Sequence, residues 1–148
     1  MRAVVQRVKK ASVRIDGNTV GAIDAGLLVL VGIEADDCDA DIDYIIKKCT
    51  QLRIFEDGEG KMNLSALDLG LSALVVSQFT LHGDARKGNR PSFILAAPPE
   101  ISVPIYEKTL ERFREKLPTQ AGVFGADMQV ELINDGPVTI LLDSKKLF

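Results

Sequence analysis

Polar side chains follow a short apolar run in the middle of the chain. Residues 74–76 (Leu-Val-Val) have the pattern of a buried strand. Ser77, Gln78, Phe79 and Thr80 come directly after them. Hydroxyl and amide groups at a strand end can bind a ligand, and backbone N–H groups near Phe79 and Thr80 can form an oxyanion hole. The alternative is an ordinary strand end with polar caps, which is common in proteins.

A second stretch of interest, residues 134–139 (Asn-Asp-Gly-Pro-Val-Thr), lies between two strand-like runs near the end of the chain. Glycine at position 136 lets a ligand or another chain approach the backbone closely. The following proline makes a cis peptide bond accessible, and such bonds usually occur at functional positions or in tight turns. The alternative is a hairpin turn, which Asn-Asp-Gly-Pro suits.

The glycine- and charge-rich loop after residue 81 offers two further candidates. His82 is the single histidine and would have to serve any Ser-His-Asp triad. Because it lies in a loop, we expect it to be solvated instead. Arg86, Lys87 and Arg90 are the best candidates for contacts with phosphate groups, and a solvated basic loop is the alternative.

The sequence contains no P-loop, dinucleotide fingerprint or metal-binding set. Cys38 and Cys49 do not form a C-x-x-C pair, and one histidine cannot complete a zinc site with them. We read Cys49 as a core thiol on the apolar face of a helix. We therefore expect no metal and no cofactor.

Length and composition are those of one ordinary globular domain, residues 1–148, with 46% hydrophobic and 26% charged residues. No apolar run approaches the roughly 18 residues of a membrane span, and the start lacks the apolar region of a signal peptide. We therefore expect a cytoplasmic protein without a membrane partner. The net charge of −3 argues against a protein that wraps nucleic acid, but it allows contact with a few phosphates at one RNA end.

The segments that must position these residues form an α+β pattern of six or seven strands and two helices. Alternating or continuous apolar residues predict strands at 3–8, 12–15, 19–23, 27–31, 74–76, 128–132 and 138–142, the second and third forming a hairpin around Asp16-Gly17-Asn18. The strand at 27–31 is expected to be buried on both faces. Residues 64–71 predict a loop or a short helix. Helical spacing predicts one helix with the inner residues Ile42, Ile45, Ile46, Cys49 and Leu52, and a second, capped by Ser102, with Ile105, Tyr106, Leu110, Phe113 and Leu117.

Two motifs carry a resemblance to a known family. Residues 77–81 (Ser-Gln-Phe-Thr-Leu) and 134–139 resemble the two signature motifs of the D-aminoacyl-tRNA deacylases. The resemblance runs through the whole chain, and it includes Gln6-Arg7-Val8, Ala11-Ser12-Val13, Arg53-Ile54-Phe55, Gly60-Lys61-Met62-Asn63, Arg90-Pro91-Ser92-Phe93 and residues 122–128. Two motifs in order, in a chain of matching length, are far more specific than one pentapeptide.

The resemblance implies a homodimer of α+β subunits, each with a mostly antiparallel, barrel-like sheet and two main helices. Such an enzyme hydrolyses the ester between a D-amino acid and the 3′-terminal adenosine of tRNA, which is a chiral proofreading step of translation. Its active sites lie at the dimer interface, where a cis Gly-Pro peptide reaches into the partner's pocket and excludes L-amino acids.

Individual roles follow from the same resemblance. Ser77, Gln78, Phe79 and Thr80 are expected to line the aminoacyl pocket as the catalytic residues. The substrate-binding residues are then Gly136 and Pro137 as the chiral filter, Phe124 and Met128 against the adenosine, and Arg7 as a support for the Gly-Pro segment. Such a filter excludes an amino acid only when its side chain clashes with the Gly-Pro peptide. Glycine has no side chain, so glycyl-tRNA is an expected substrate too.

Two other functions stay open. A general acyl hydrolase would use Thr80 as its nucleophile, but no residue is evident as its base. A non-catalytic domain that binds an RNA end or a metabolite would use residues 77–81 and 134–139 as structural turns. In the deacylase reading the 2′-OH of the terminal ribose orients or activates the attacking water, and the protein contributes positioning and oxyanion stabilisation.

Overall fold

The long first strand is the centre of the molecule. The computed structural model describes residues 1–148, with the elements in the following order: β1 (Arg2–Ile15), β2 (Asn18–Ile23), β3 (Gly26–Gly32), α1 (Asp39–Gln51), β4 (Phe55–Glu56), β5 (Met62–Leu64), α2 (Ala66–Leu69), β6 (Ser72–Ser77), a 3₁₀ helix (Phe79–His82), α3 (Pro99–Arg114), β7 (Thr119–Ala121) and β8 (Gln129–Asp143). β4 and β5 form a separate two-stranded sheet.

The main sheet is mixed. β1 pairs antiparallel with β2, β3 and β8, and β6 pairs parallel with both β3 and β7. β2 then approaches β7 from the other side of the sheet: a Cβ built on Gly21 would lie 2.8 Å from the carbonyl oxygen of Ala121. This close approach requires glycine, and it nearly closes the sheet into a barrel. The predicted α+β class with a barrel-like sheet is confirmed.

Two apolar clusters lie on opposite faces of the sheet. Leu27, Val29 and Val31 belong to the larger cluster, which α1 and α3 cover, whereas Leu28 belongs to the smaller one inside the barrel. β3 is therefore buried on both faces, as predicted. Each such side chain contributes about 1.5–3 kcal/mol by leaving water. The predicted hairpin of β1 and β2 is present as well.

The two main helices turn their predicted apolar faces inward, but the N-terminal end of α3 differs from the prediction. Cys49 is fully buried on α1, which confirms the prediction of a core thiol, and α2 supplies a short helix within residues 64–71. Ser102 does not cap α3. The helix begins at Pro99, where the missing N–H of proline costs nothing, so Ser102 lies inside it and its hydroxyl donates to the Pro98 carbonyl (3.1 Å).

The interpretation of residues 134–137 as a hairpin turn is wrong. The two predicted strands around them are halves of the single strand β8, and both halves pair with β1. Gln6 faces Thr139 and Val8 faces Asn134, so that Arg7 alone stands opposite residues 135–138. The segment is thus a large bulge, which projects the extra residues out of the ladder.

None of the helices combines the length and the apolar character that a crossing of the membrane requires.

Candidate active site

A cavity of about 590 Å³ opens where β3 and β6 end. The parallel pairing of these strands brings Val31 and Ser77 side by side at the same edge of the sheet. The segment before α3 and the segment before β8 supply the other walls. The lining is mostly apolar, as ligand pockets usually are, and it includes five predicted site residues, Ser77, Gln78, Phe79, Phe124 and Met128.

The backbone turns sharply after β6 and leaves two adjacent N–H groups without an acceptor. The N–H of Gln78 still donates to the Val31 carbonyl (2.7 Å), as in a strand. Hydrogen bonding within the turn then starts at Leu81, whose N–H donates to the Gln78 carbonyl (3.2 Å). The first N–H groups of any helix lack an internal partner. Phe79 and Thr80 therefore present two donors beside the cavity.

Thr80 stands at the edge of this arrangement. It is exposed and does not line the cavity, and its hydroxyl accepts a hydrogen bond from the amide of Gln78. No histidine, carboxylate or amine contacts the hydroxyl, so the structure provides no base that would make Thr80 a nucleophile. Gln78 thus serves to orient the threonine side chain.

His82 is buried, and the expectation of a solvated loop histidine is wrong. It ends the 3₁₀ helix with only 1% of its surface exposed. Its Nδ1 lies 3.2 Å from Oε1 of Glu34, yet neither ring nitrogen makes a well-aligned hydrogen bond. Burial lowers the pKa of His82, so the ring is neutral at pH 7. A Ser-His-Asp triad that uses His82 is excluded, because His82 faces the protein interior.

Aromatic rings form two walls of the cavity. Phe79 packs edge-on against Phe93 with 5.1 Å between ring centroids, and Phe124 packs against Tyr106 at 5.7 Å. The Tyr106 hydroxyl donates to the Val75 carbonyl of β6 (3.0 Å), and burial raises the pKa of Tyr106 to about 12. Phe93 was not predicted as a lining residue, although it belongs to the Arg90-Pro91-Ser92-Phe93 segment that carries part of the family resemblance.

The Gly136–Pro137 segment does not line the cavity of its own subunit. The peptide bond is cis, and both residues are exposed. The side chain of Asn134 spans the bulge, because its Oδ1 accepts from the Val138 N–H (2.7 Å) and its Nδ2 donates to the Val138 carbonyl (3.3 Å). Arg7, which is buried, donates from Nε to the Asp135 carbonyl (2.9 Å) directly before the glycine.

A cluster of carboxylates lies apart from the cavity. Oxygen atoms of Glu34, Asp36 and Asp37 lie within 4.8 Å of one another. Cations of the chain already pair with all three: Lys145 Nζ lies 2.7 Å from Asp36 and also binds Glu34, and the N-terminal ammonium lies 2.5 Å from Asp37. The arrangement is an ion-pair network and gives no reason to infer a metal.

The chain matches the family model of the D-Tyr-tRNA(Tyr) deacylases over residues 4–143. The chain belongs to the D-Tyr-tRNA(Tyr) deacylase family. It is 60% identical to the D-aminoacyl-tRNA deacylase of Anaeromyxobacter dehalogenans (strain 2CP-C), with the whole of both chains covered. It is 57% identical to that of Thermotoga petrophila (strain ATCC BAA-488 / DSM 13995 / JCM 10881 / RKU-1), again over full length. The prediction of an ester hydrolase of this family is confirmed.

Two solved structures share the fold of this deacylase family member. One, described as "c-Myc DNA Unwinding Element Binding Protein", superimposes with a TM-score of 0.92 at 44% identity and covers 97% of this chain and 98% of its own. Another, from a structural analysis of a probable eukaryotic D-amino acid tRNA deacylase, gives a TM-score of 0.80 at 16% identity, with 95% and 97% covered. At that identity the second likeness concerns the fold alone.

Proposed function

We propose that this protein hydrolyses the ester bond of D-aminoacyl-tRNA and releases the free D-amino acid and tRNA, as a chiral proofreading step of translation in the cytoplasm. The observation that carries the proposal is family membership over residues 4–143. The chemistry of the cavity agrees with it: two unpaired N–H donors stand beside a mostly apolar pocket large enough for an aminoacyl-adenosine.

The N–H groups of Phe79 and Thr80 are proposed to bind the ester carbonyl oxygen. Negative charge develops on that oxygen when water attacks, and donors fixed in a low-dielectric site stabilise it more than water does. An aminoacyl ester is already activated, so this stabilisation and correct positioning suffice without a protein nucleophile. Phe124 and Met128, on the opposite wall of the cavity, are proposed to hold the adenosine.

The substrate's own 2′-OH is proposed to orient or activate the attacking water. The cavity offers no base for this step, because Thr80 is paired only with Gln78 and His82 is buried elsewhere. We expect Thr80→Ala to retain substantial activity, with some loss from the disturbed pocket. A D-aminoacyl-tRNA ending in 2′-deoxyadenosine should be hydrolysed far more slowly than the normal substrate.

Rapid-quench measurement of ester hydrolysis for both substrates and both proteins tests this mechanism. An acyl-enzyme trapped on Thr80 would support the general acyl hydrolase instead. Equal rates on the 2′-deoxy and normal substrates would show that the protein activates the water itself.

The chiral filter is proposed to act between subunits. Gly136 and Pro137 are exposed on a bulge that Asn134 and Arg7 hold in place, and they do not reach the cavity of their own subunit. In a homodimer they would enter the partner's pocket and clash with the side chain of any L-amino acid. A filter made of backbone suits an enzyme that accepts many D-amino acids, because it does not depend on the identity of the side chain.

Release of free D-tyrosine from D-tyrosyl-tRNA by the purified protein tests the proposed function. We expect hydrolysis far above the spontaneous rate at catalytic protein concentrations, without any added metal or cofactor. A domain that only binds RNA ends would leave the ester to decay at the spontaneous rate or protect it, and that result would replace the proposal.

A further inference from the structure

The loop that follows the 3₁₀ helix is exposed and rich in basic residues. We define the basic loop as residues 84–92. Two antiparallel backbone hydrogen bonds close its base, from the Asp84 N–H to the Ser92 carbonyl (2.8 Å) and from the Ser92 N–H to the Asp84 carbonyl (2.9 Å). Residues 85–91, between these two, are all exposed.

Both ends of the base of the basic loop adjoin one wall of the cavity. Asp84 follows the 3₁₀ helix that presents Phe79 and Thr80, and Ser92 precedes Phe93, which lines the cavity and packs against Phe79. The tip is four residues from either end of the base, so it extends at most about 14 Å from the base. Charges on the loop therefore lie near the cavity mouth.

The charge of the basic loop differs from that of the chain. The loop carries three basic residues and one acidic residue, whereas the whole chain has a net charge of −3. Arg86 is neutralised within the loop, because its Nη2 lies 2.6 Å from Oδ2 of Asp84, and this hydrogen bond holds the pKa of Asp84 below its usual range. Lys87 and Arg90 form no ion pair and no side-chain hydrogen bond, although the chain has more acidic than basic residues.

We propose that Lys87 and Arg90 bind backbone phosphates close to the 3′ end of the tRNA. This inference rests on the proposed function, since it assumes that the esterified adenosine occupies the cavity. A surface charge acts over roughly 8 Å at physiological salt, so the two side chains attract only the phosphates nearest the cavity mouth. Contacts of this kind position the RNA without reading its sequence. They place the ester at the donors of Phe79 and Thr80.

The test compares two substrates that differ in phosphates. One is D-tyrosyl-tRNA, and the other is 2′(3′)-O-D-tyrosyl-adenosine, which has the ester and the base but no phosphate. The double variant Lys87→Gln/Arg90→Gln is compared with Lys47→Gln/Lys116→Gln. Lys47 and Lys116 are also exposed and form no ion pair, and they line a separate cleft that shares no residue with the cavity. Both variants lose the same charge.

Each phosphate contact strengthens binding about five- to eightfold at 0.1 M salt, which follows from a slope of about 0.7–0.9 per phosphate. In the loop variant we expect the ratio of kcat/KM on the tRNA to kcat/KM on the adenosine ester to fall about 25- to 60-fold. The slope of log kcat/KM against log salt should become shallower by about 1.4–1.8 on the tRNA alone. The control variant should keep the wild-type ratio and slope.

Three results would overturn the assignment. The loop variant could keep the wild-type ratio and salt slope, the control variant could lose as much as the loop variant, or light scattering could show that the loop variant changes the oligomeric state. These results are distinct from failure of the proposed function, in which the wild-type protein would hydrolyse neither substrate.

Discussion

Replacement of Gly136 by alanine tests the bulge at its most crowded point. Gly136 has φ +137°, a backbone conformation that L-residues rarely adopt. An added Cβ would lie 2.7 Å from Cγ2 of Val138 and 3.1 Å from both Nη2 of Arg7 and the Val138 N. Val138 is 8% exposed and Arg7 is 7% exposed, so neither side chain can swing into solvent. The segment must therefore shift.

The size of the effect follows from this crowding. A residue forced into such a conformation costs roughly 1–3 kcal/mol, which is less than the stability of an ordinary domain. Each kcal/mol lowers Tm by about 2–4 °C for a chain of this size, so the variant should fold. A shift of about 1 Å at a substrate-positioning group can cost about 100-fold in rate. We expect D-aminoacyl-tRNA hydrolysis to fall by about 10- to 100-fold, or the discrimination between D- and L-substrates to fall by a similar factor.

Single-turnover hydrolysis of D- and L-tyrosyl-tRNA measures both quantities, and a thermal melt reports the fold. Gly58→Ala is the matched control, because Gly58 lies in a surface turn with nothing within 4 Å of an added Cβ and without a positive φ. Normal rates and normal discrimination in Gly136→Ala would refute the role assigned to the bulge.

Three further predictions concern specificity, assembly and pH. Glycyl-tRNA should be hydrolysed by the wild-type protein, and its survival alongside rapid cleavage of D-aminoacyl-tRNA would mean that the pocket binds the D side chain directly. Analytical ultracentrifugation should show a dimer at assay concentrations. Ile133 and Leu141 on β8 are exposed apolar residues that a second copy can cover. Full activity of a monomer would contradict this prediction. Burial lowers the pKa of His82 below its usual 6.5 in the folded state, so the unfolded chain alone binds a proton as the pH falls through 6.5. The free energy of unfolding should therefore decrease from pH 7 to pH 5, by at most about 1.4 kcal/mol per pH unit. Urea denaturation should show a smaller pH dependence for His82→Gln. An unchanged pH dependence would contradict the lowered pKa of His82.

The local pattern of apolar residues was sufficient to predict much of the fold. The continuous apolar run of β3 indicated burial on both faces, and the 3.6-residue spacing of α1 identified Cys49 as a core residue. The pattern failed at residues 134–137, because Asn-Asp-Gly-Pro suits a turn and a bulge equally well. Only the pairing of both halves of β8 with β1 distinguishes the two, and that pairing depends on residues far apart in the chain.

Some residues of the site could likewise be predicted from the local sequence, whereas the positions of others depend on distant parts of the chain. The polar strand end at Ser77 and Gln78 was evident from residue types alone. The burial of His82 was not, since it depends on β3, whose Gly32 would place a Cβ within 3.0 Å of the imidazole ring. Phe93 was likewise missed as a wall of the cavity, because the closed base of the basic loop is what returns the chain to Phe79.

The proposed chiral selectivity can be measured with two charged tRNAs that differ only in the configuration of the amino acid. Purified protein is mixed in excess with tRNA charged with either D-tyrosine or L-tyrosine, and the release of the free amino acid is followed in single turnover beside a protein-free control. We expect rapid release of D-tyrosine and release of L-tyrosine at the spontaneous rate. Equal acceleration for the two enantiomers, or acceleration for neither, would contradict this selectivity.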